Sequence, residues 1–160
     1  MKKLLLIINP IAGKKRGIDF LPEIVKRFED VGYDVETRYT EIDKNATVVT
    51  LNYGEDKDVI VCCGGDGTLK ETICGVMTLE SSAKIGYIPL GTTNDFAHSL
   101  HIPTDPLEAV DTIINGKELK VDIGDFNGDE QFIYVSCFGN FCDVSYKAKQ
   151  KLKNKIGRGA

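Results

Sequence analysis

The chain has 160 residues, 42% apolar and 28% charged, with 20 basic against 24 acidic side chains and a formal charge of −4. That length can bury a core without disulfide or metal staples, and the slightly acidic balance gives no general attraction to nucleic acid, so any binding has to come from a local site. The apolar run Leu4 to Ile8 is too short for a secretory signal, and no stretch approaches the length of a membrane span, so contact with a membrane is expected to be peripheral.

In chain order, Lys3 to Ile8 reads as a buried strand, followed by NPIAGKKRG and a helix in which Phe20, Leu21, Ile24, Val25, Phe28 and Val31 recur at helical spacing. Gly32 ends that helix, and DVETRYT alternates as a second strand. A weaker helix is expected from about Asp43 to Asn52. KDVIVCC is too uniformly apolar for a half-exposed strand and predicts a central parallel one, with a helix over residues 66–77 behind it. AKIGYIPL gives a fourth strand and GTTNDFA a loop and helix start, and Pro106 opens a helix through Ile114. LKVDIGDF and EQFIYVSCF predict two further strands around an Asn127–Gly128 turn, which breaks the alternation.

Alternating strand and helix to about residue 125 predicts an α/β fold, a doubly wound parallel sheet with helices on both faces. The expected division is a domain over 1–125 and the beginning of a second, mainly β domain over 126–160. Cys62, Cys63, Cys74, Cys137 and Cys142 are odd in number and form no C-x-x-C pair; they read as reduced thiols and suggest a cytoplasmic compartment.

Ligands of such sheets bind outside the carboxyl ends of the strands, and every unusual loop falls there: NPIAG after the first strand, Thr40 after the second, GGDGT after the third and GTTND after the fourth. Gly64, Gly65 and Gly67 let backbone approach a ligand closely, and a helix beginning at the same point offers N–H groups and a favourable dipole end, which together suit phosphate. Glycines after a strand can also make nothing more than a tight turn. A tight turn, however, needs no carboxylate, and Asp66 would repel a bare phosphate unless a cation, a shared proton or a hydroxyl stood between them; it hints at magnesium held partly through water. The loop lacks the Gly-Lys-Ser/Thr ending of a P-loop, and G-x-G-x-x-G is missing after the first strand.

GGDGT at 64–68, NPIAG at 9–13 and IPLGTTNDFA at 88–97, followed by KVDIGDF, resemble the diacylglycerol kinase catalytic domain in its bacterial soluble lipid kinase branch, over essentially the whole chain. GGDGT is shared with NAD kinases; PLGTTNDFA distinguishes the lipid kinases. The resemblance implies that Asn9, Pro10 and Thr40 help hold ATP, that Gly64, Gly65, Asp66, Gly67 and Thr68 lie against its phosphates with Glu71 nearby, and that Thr92, Thr93 and Asn94 close the other side. It implies catalytic and magnesium-ordering roles, through water, for Asp66, Asp95 and Asp122, while Lys70 stands where asparagine is common. The implied reaction moves the γ-phosphate of ATP to a lipid alcohol such as diacylglycerol at a membrane surface, with a homodimer left open.

The family runs to roughly twice this length, so the chain is expected to be a fragment that binds nucleotide and is inactive alone. The rivals are an NAD kinase-like enzyme, a kinase of another lipid alcohol, and a nucleotide sensor that transfers nothing. Lys14, Lys15 and Arg16 can reach phosphates or be a solvated loop, and the lysines at 147, 149, 151, 153 and 155 can touch an anionic membrane or coat a solvated helix. His98 and His101 lack a third metal ligand nearby in sequence and read as surface decoration.

Overall fold

The computed structural model describes residues 1–13, 19–42, 45–126 and 130–133. Its centre is a four-stranded parallel sheet in the order β2-β1-β3-β4, built from β1 (Lys2–Ile8), β2 (Tyr33–Tyr39), β3 (Val59–Gly64) and β4 (Lys84–Pro89). β1 pairs with β2 on one side and with β3 on the other, so the chain reverses its direction of travel across the sheet beside β1. In open α/β sheets such a reversal is where ligands bind, at the carboxyl edge.

The apolar runs become strands because both of their faces are covered. Leu4, Leu5, Leu6, Ile7 and Ile8 are each no more than 1% exposed, and full burial of such a side chain is worth roughly 1.5–3 kcal/mol. Leu4, Leu6 and Ile8 join Val61 and Cys63 beneath α1 (Leu21–Asp30) and α5 (Pro106–Asn115), through Ile24, Phe28 and Val110. Leu5, Ile7 and Ile60 point the other way, against Ala46 and Val49 of α2 (Ala46–Tyr53) and Val76 of α3 (Asp66–Thr78). A third cluster gathers Cys62, Leu69, Ile73, Tyr87, Phe96 and Ala97, joining α3 to the short α4 (Asp95–Ser99). The expected parallel sheet with helices on both faces is what forms.

The helix boundaries follow local chemistry. Asn45 caps α2, its Oδ1 accepting from Val48 N at 3.1 Å, and Asp105 caps α5, its side chain accepting from Leu107 and Glu108 N ahead of Pro106. α3 leans on α2 where Gly75 faces Thr50, and a Cβ on Gly75 would sit 2.5 Å from the Thr50 Cβ. Arg27 joins α1 to α5 through Asp111 at 2.9 Å.

One strand expectation differs in extent from what forms, and another is described only at its start. β5 (Gly124–Phe126) pairs antiparallel with β6 (Glu130–Phe132), but Leu119 to Ile123 are not strand. Leu119 is 66% exposed and Val121 43%, and among the described residues this stretch has no sheet neighbour to complete a ladder, whatever its β propensity. Residues 134–160, with the rest of the EQFIYVSCF strand, Cys137, Cys142 and the basic run, lie outside the described residues, as do Lys14, Lys15 and Arg16. Among the described residues, no helix is long and apolar enough to cross a membrane.

Candidate functional site

The loops after β1, β3 and β4 meet at the carboxyl edge. Asn9 N donates to Cys63 O at 2.9 Å, carrying the β1–β3 ladder one residue past the strand. The Asn9 side chain then turns the loop, Oδ1 accepting from Ile11 N at 3.1 Å while Nδ2 donates to Thr68 Oγ1 at 3.0 Å. NPIAG is thereby tied to the first turn of α3, with Pro10 half-buried beside the tie. Gly13 continues the crossing over the end of β3. Its φ is +46°, and a Cβ there would lie 1.7 Å from Leu90 O, so only glycine passes.

The other glycines have separate reasons. A Cβ on Gly64 would meet the Thr68 side chain at 2.6 Å, so Gly64 makes room for the buried threonine that Asn9 holds. A Cβ on Gly91 would come within 2.6 Å of the Gly65 Cα, and Leu90 N donates to Gly64 O at 2.7 Å; the loops after β3 and β4 therefore touch backbone to backbone. Gly67 is the exception, exposed in the first turn of α3 with nothing within 4 Å of where its Cβ would be. The first intrahelical bond of α3 runs from Leu69 N to Gly65 O at 3.0 Å, so the N–H groups of Asp66, Gly67 and Thr68 have no partner within the helix.

Asp66 points across to α4, its Oδ2 accepting from Asp95 N and its Oδ1 from Phe96 N, both at 3.1 Å. Asn94 is buried in the left-handed region, with φ 51° and ψ 46°. Its Oδ1 accepts from Gly91 N at 2.8 Å and from the Tyr87 hydroxyl at 3.4 Å, and its Nδ2 donates to Gly91 O at 3.1 Å. The amide thus closes the GTTN loop from inside, leaving Thr92 exposed and Thr93 half-buried. Burial, with Asp66 next in effect, pushes the Tyr87 hydroxyl well above its ordinary range, so it stays a neutral donor. Burial likewise pushes the Cys62 thiol up to about 12 and raises Cys63, which rules both out as nucleophiles at neutral pH.

On the flank, Thr40 is buried and its N donates to Ile8 O at 2.8 Å, extending the β2–β1 ladder. Glu71 reaches α2, its Oε2 accepting from Ala46 N at 3.1 Å and its backbone O from Thr47 Oγ1 at 2.9 Å. Asp95 is half-buried at the start of α4 and Asp122 is exposed ahead of β5. His98 lies in the last turn of α4, and His101 follows at φ 55°. Among the described residues, no three His, Cys, Asp or Glu side chains come together to hold a metal ion directly.

Asn9, Gly64, Gly65, Asp66, Thr68, Gly91 and Asn94 are accordingly joined in one bonded and packed assembly, to which Glu71 and Thr40 add the flank. Gly13 and Gly91, which fall within the NPIAG and GTTND motifs but were given no role of their own, belong to this architecture, as does Tyr87, which was not singled out from sequence. The signal for Gly13 was a glycine closing an Asn-Pro turn; a tyrosine inside an apolar strand gives none. The groups present fit a nucleotide with a divalent metal: the α3 N–H groups and open Gly67 suit phosphate oxygens, and Asp66 and Asp95 supply carboxylates at the same edge.

The diacylglycerol kinase catalytic domain model matches residues 3–126. A diacylglycerol kinase of Staphylococcus carnosus is 40% identical over 157 residues, 98% of this chain and 51% of that protein. One from Staphylococcus aureus is 39% identical over 98% of this chain and 50% of that protein. A crystal structure of a diacylglycerol kinase from Bacillus anthracis superimposes with a TM-score of 0.73 at 32% identity, covering 82% of this chain and 45% of that one. The chain spans about half the length of the curated relatives it matches. With the sheet, the glycine loops and the matched model in agreement, the chain belongs to the diacylglycerol kinase catalytic domain family.

Proposed function

We propose that this chain is the ATP-binding portion of a lipid kinase that transfers the γ-phosphoryl group of ATP to the hydroxyl of a lipid alcohol, with diacylglycerol going to phosphatidate. The observation that carries the reading is Gly67. Glycine in a helix costs about 1 kcal/mol relative to alanine, and here neither a positive φ nor a crowded Cβ accounts for it. An uncrowded glycine beside the free N–H groups of a helix start is explained by a ligand that comes within van der Waals reach of the backbone, and phosphate matches the donors.

In this reading the phosphates lie over Gly64, Gly65, Gly67 and Thr68, against the α3 N–H groups. Asn9 and Pro10 form the wall on one side, Thr92 and Thr93 close the other, and Thr40 and Glu71 border the nucleoside end. Asp66, Asp95 and Asp122 order magnesium through water, Asp66 using lone pairs left over from its bonds to α4. Magnesium, when bound, neutralises charge on the phosphate oxygens. The protein's own part is to fix the donor phosphate in place, since phosphoryl transfer depends on alignment and charge compensation more than on covalent help. The acceptor pocket belongs to the half of the relatives' length that this chain does not span, and the lipid acceptor brings the enzyme to a membrane surface.

The test is titration of the chain with magnesium ATP, followed by NMR, and an assay with diacylglycerol in mixed micelles. Shifts are expected at residues 9–13, 40, 64–68 and 92–95, with binding but no phosphatidate from this chain alone. Losing an aligned acceptor forfeits on the order of 7–11 kcal/mol of barrier reduction. Shifts elsewhere would remove the site, and turnover at the rate of a full-length relative would place the acceptor groups within these residues.

A further inference from the structure

Asp66 raises a question of charge. It sits in the first turn of α3, where an incoming phosphate would meet it, yet its carboxylate is directed at the N-terminal N–H groups of another helix. Both oxygens are used, one on Asp95 N and one on Phe96 N, each at 3.1 Å. α4 needs this. It is five residues long, and its own N-cap, Asn94, makes no side-chain bond to it because that amide is spent on Gly91. A single turn of helix is not stable by itself. Phe96 and Ala97 anchor it to Leu69 and Ile73 of α3, but apolar contact alone fixes neither its rotation nor its distance along α3.

We infer that Asp66 is a positioning residue: it caps α4 from 29 residues away and thereby sets where Thr92 and Thr93 stand relative to the α3 N–H groups, before any metal or nucleotide arrives. Charge-assisted bonds from two backbone N–H groups are strong for their number. They also turn the negative charge toward the positive end of α4 and away from the phosphate approach, which resolves the repulsion that the sequence alone poses. The neighbouring backbone contact between Gly65 and Gly91 completes the coupling, so the two loops form one rigid unit. This rests on the proposed nucleotide site for its consequence, though not for its geometry.

The experiment compares the wild-type chain with Asp66→Asn, which keeps size and one acceptor oxygen but loses the charge. Amide hydrogen exchange is measured in EDTA without nucleotide, and ADP affinity is measured in EDTA and again with magnesium. First-turn N–H groups normally exchange freely, so protection of Asp95 and Phe96 in the wild type reports the cap. D66N is expected to speed their exchange by about tenfold, to weaken ADP by about the same factor in EDTA, and to weaken it at least as much with magnesium. Unchanged exchange in the variant would overturn the inference, as would an affinity loss seen only with magnesium, which would make Asp66 a servant of the metal alone. If D66N does not fold, unprotected amides at 95 and 96 in the metal-free wild type would overturn it equally. A wild type that binds no ADP would sink the nucleotide site and leave the exchange result standing on its own.

Discussion

The end of the carboxyl edge around β3 and β4 and the end of the sheet formed by β2 and α2, which reaches back to the amino edge, are held together in opposite ways. Around β3 and β4 the loops meet backbone to backbone, with Gly65 against Gly91 and Gly13 against Leu90 O, and the buried Thr68 and Asn94 are hydrogen-bonded. Around β2 and α2 the surface is long side chains. Tyr39, Ile42, Val48, Leu51 and Tyr53 are exposed, Arg38 stacks 4.4 Å over the Tyr53 ring, and charges chain together from Arg38 through Glu36, Lys57 and Asp56 to Lys3. Backbone contact leaves no slack, whereas flexible side chains re-arrange. Substitutions should therefore be costly at the first end and cheap at the second.

The strongest challenge to that contrast is Gly91→Ala. The added methyl would lie 2.6 Å from both the Gly65 Cα and the Asn94 Oδ1, and the nearest relief is to pull the two loops apart. Unfolding free energy from urea titration should fall by about 3 kcal/mol. A loss under about 1 kcal/mol would mean that the loops are not in contact in solution, and the rigid end would be no different from the flexible one.

Gly67→Ala sharpens the comparison, because it adds the same methyl to a glycine of the rigid end that touches nothing. The fold should gain about 0.5–1 kcal/mol from better helix propensity and a less flexible unfolded chain. Affinity for magnesium ADP should fall at least tenfold, since the methyl occupies the space assigned to phosphate oxygens. A gain in stability with no loss of affinity would leave Gly67 unexplained and remove the main support for the phosphate site.

The same contrast governs what could be read from sequence. β1 and β3 were legible because LLLII and VIVCC are short, apolar without alternation and rich in β-branched or aliphatic residues, which suits a strand covered on both faces, and α5 was legible from Asp105-Pro106. The strand predicted from Leu119 was not, because among the described residues its apolar side chains have no neighbouring strand, and nothing local records that. GGDGT located the site's centre, but glycine alone does not say why it is there: Gly64 clears Thr68, Gly65 faces Gly91, and Gly67 faces open space. Asp66 illustrates the limit best, since its partners are N–H groups on a helix 29 and 30 residues further on, and main-chain donors carry no signature in a sequence.

At the flexible end the smallest effect is expected from Asp56, and its sign is definite. Hydrogen bonds from Lys3 and Lys57 lower its pKa from an ordinary 3.8 to about 2. A carboxyl whose pKa falls on folding contributes stability that is present above its unfolded pKa and is lost as pH drops through the folded one. The contribution should hold steady near neutrality and disappear between about pH 4 and pH 2. Asp56 and Lys3 are both more than half exposed, so screening keeps the effect small and salt should shrink it further. The measurement is the difference in unfolding free energy between wild type and Asp56→Asn, taken across pH in low and in high salt. It should be small at pH 7, vanish towards pH 2, and be compressed by salt at every pH in between. The cost of Gly91→Ala, being steric, should ignore both variables. If the Asp56 difference instead stays constant down to pH 2, or is indifferent to salt, the ion pairs along this flank do not persist in solution, and its surface is held by the apolar contacts of α2 alone.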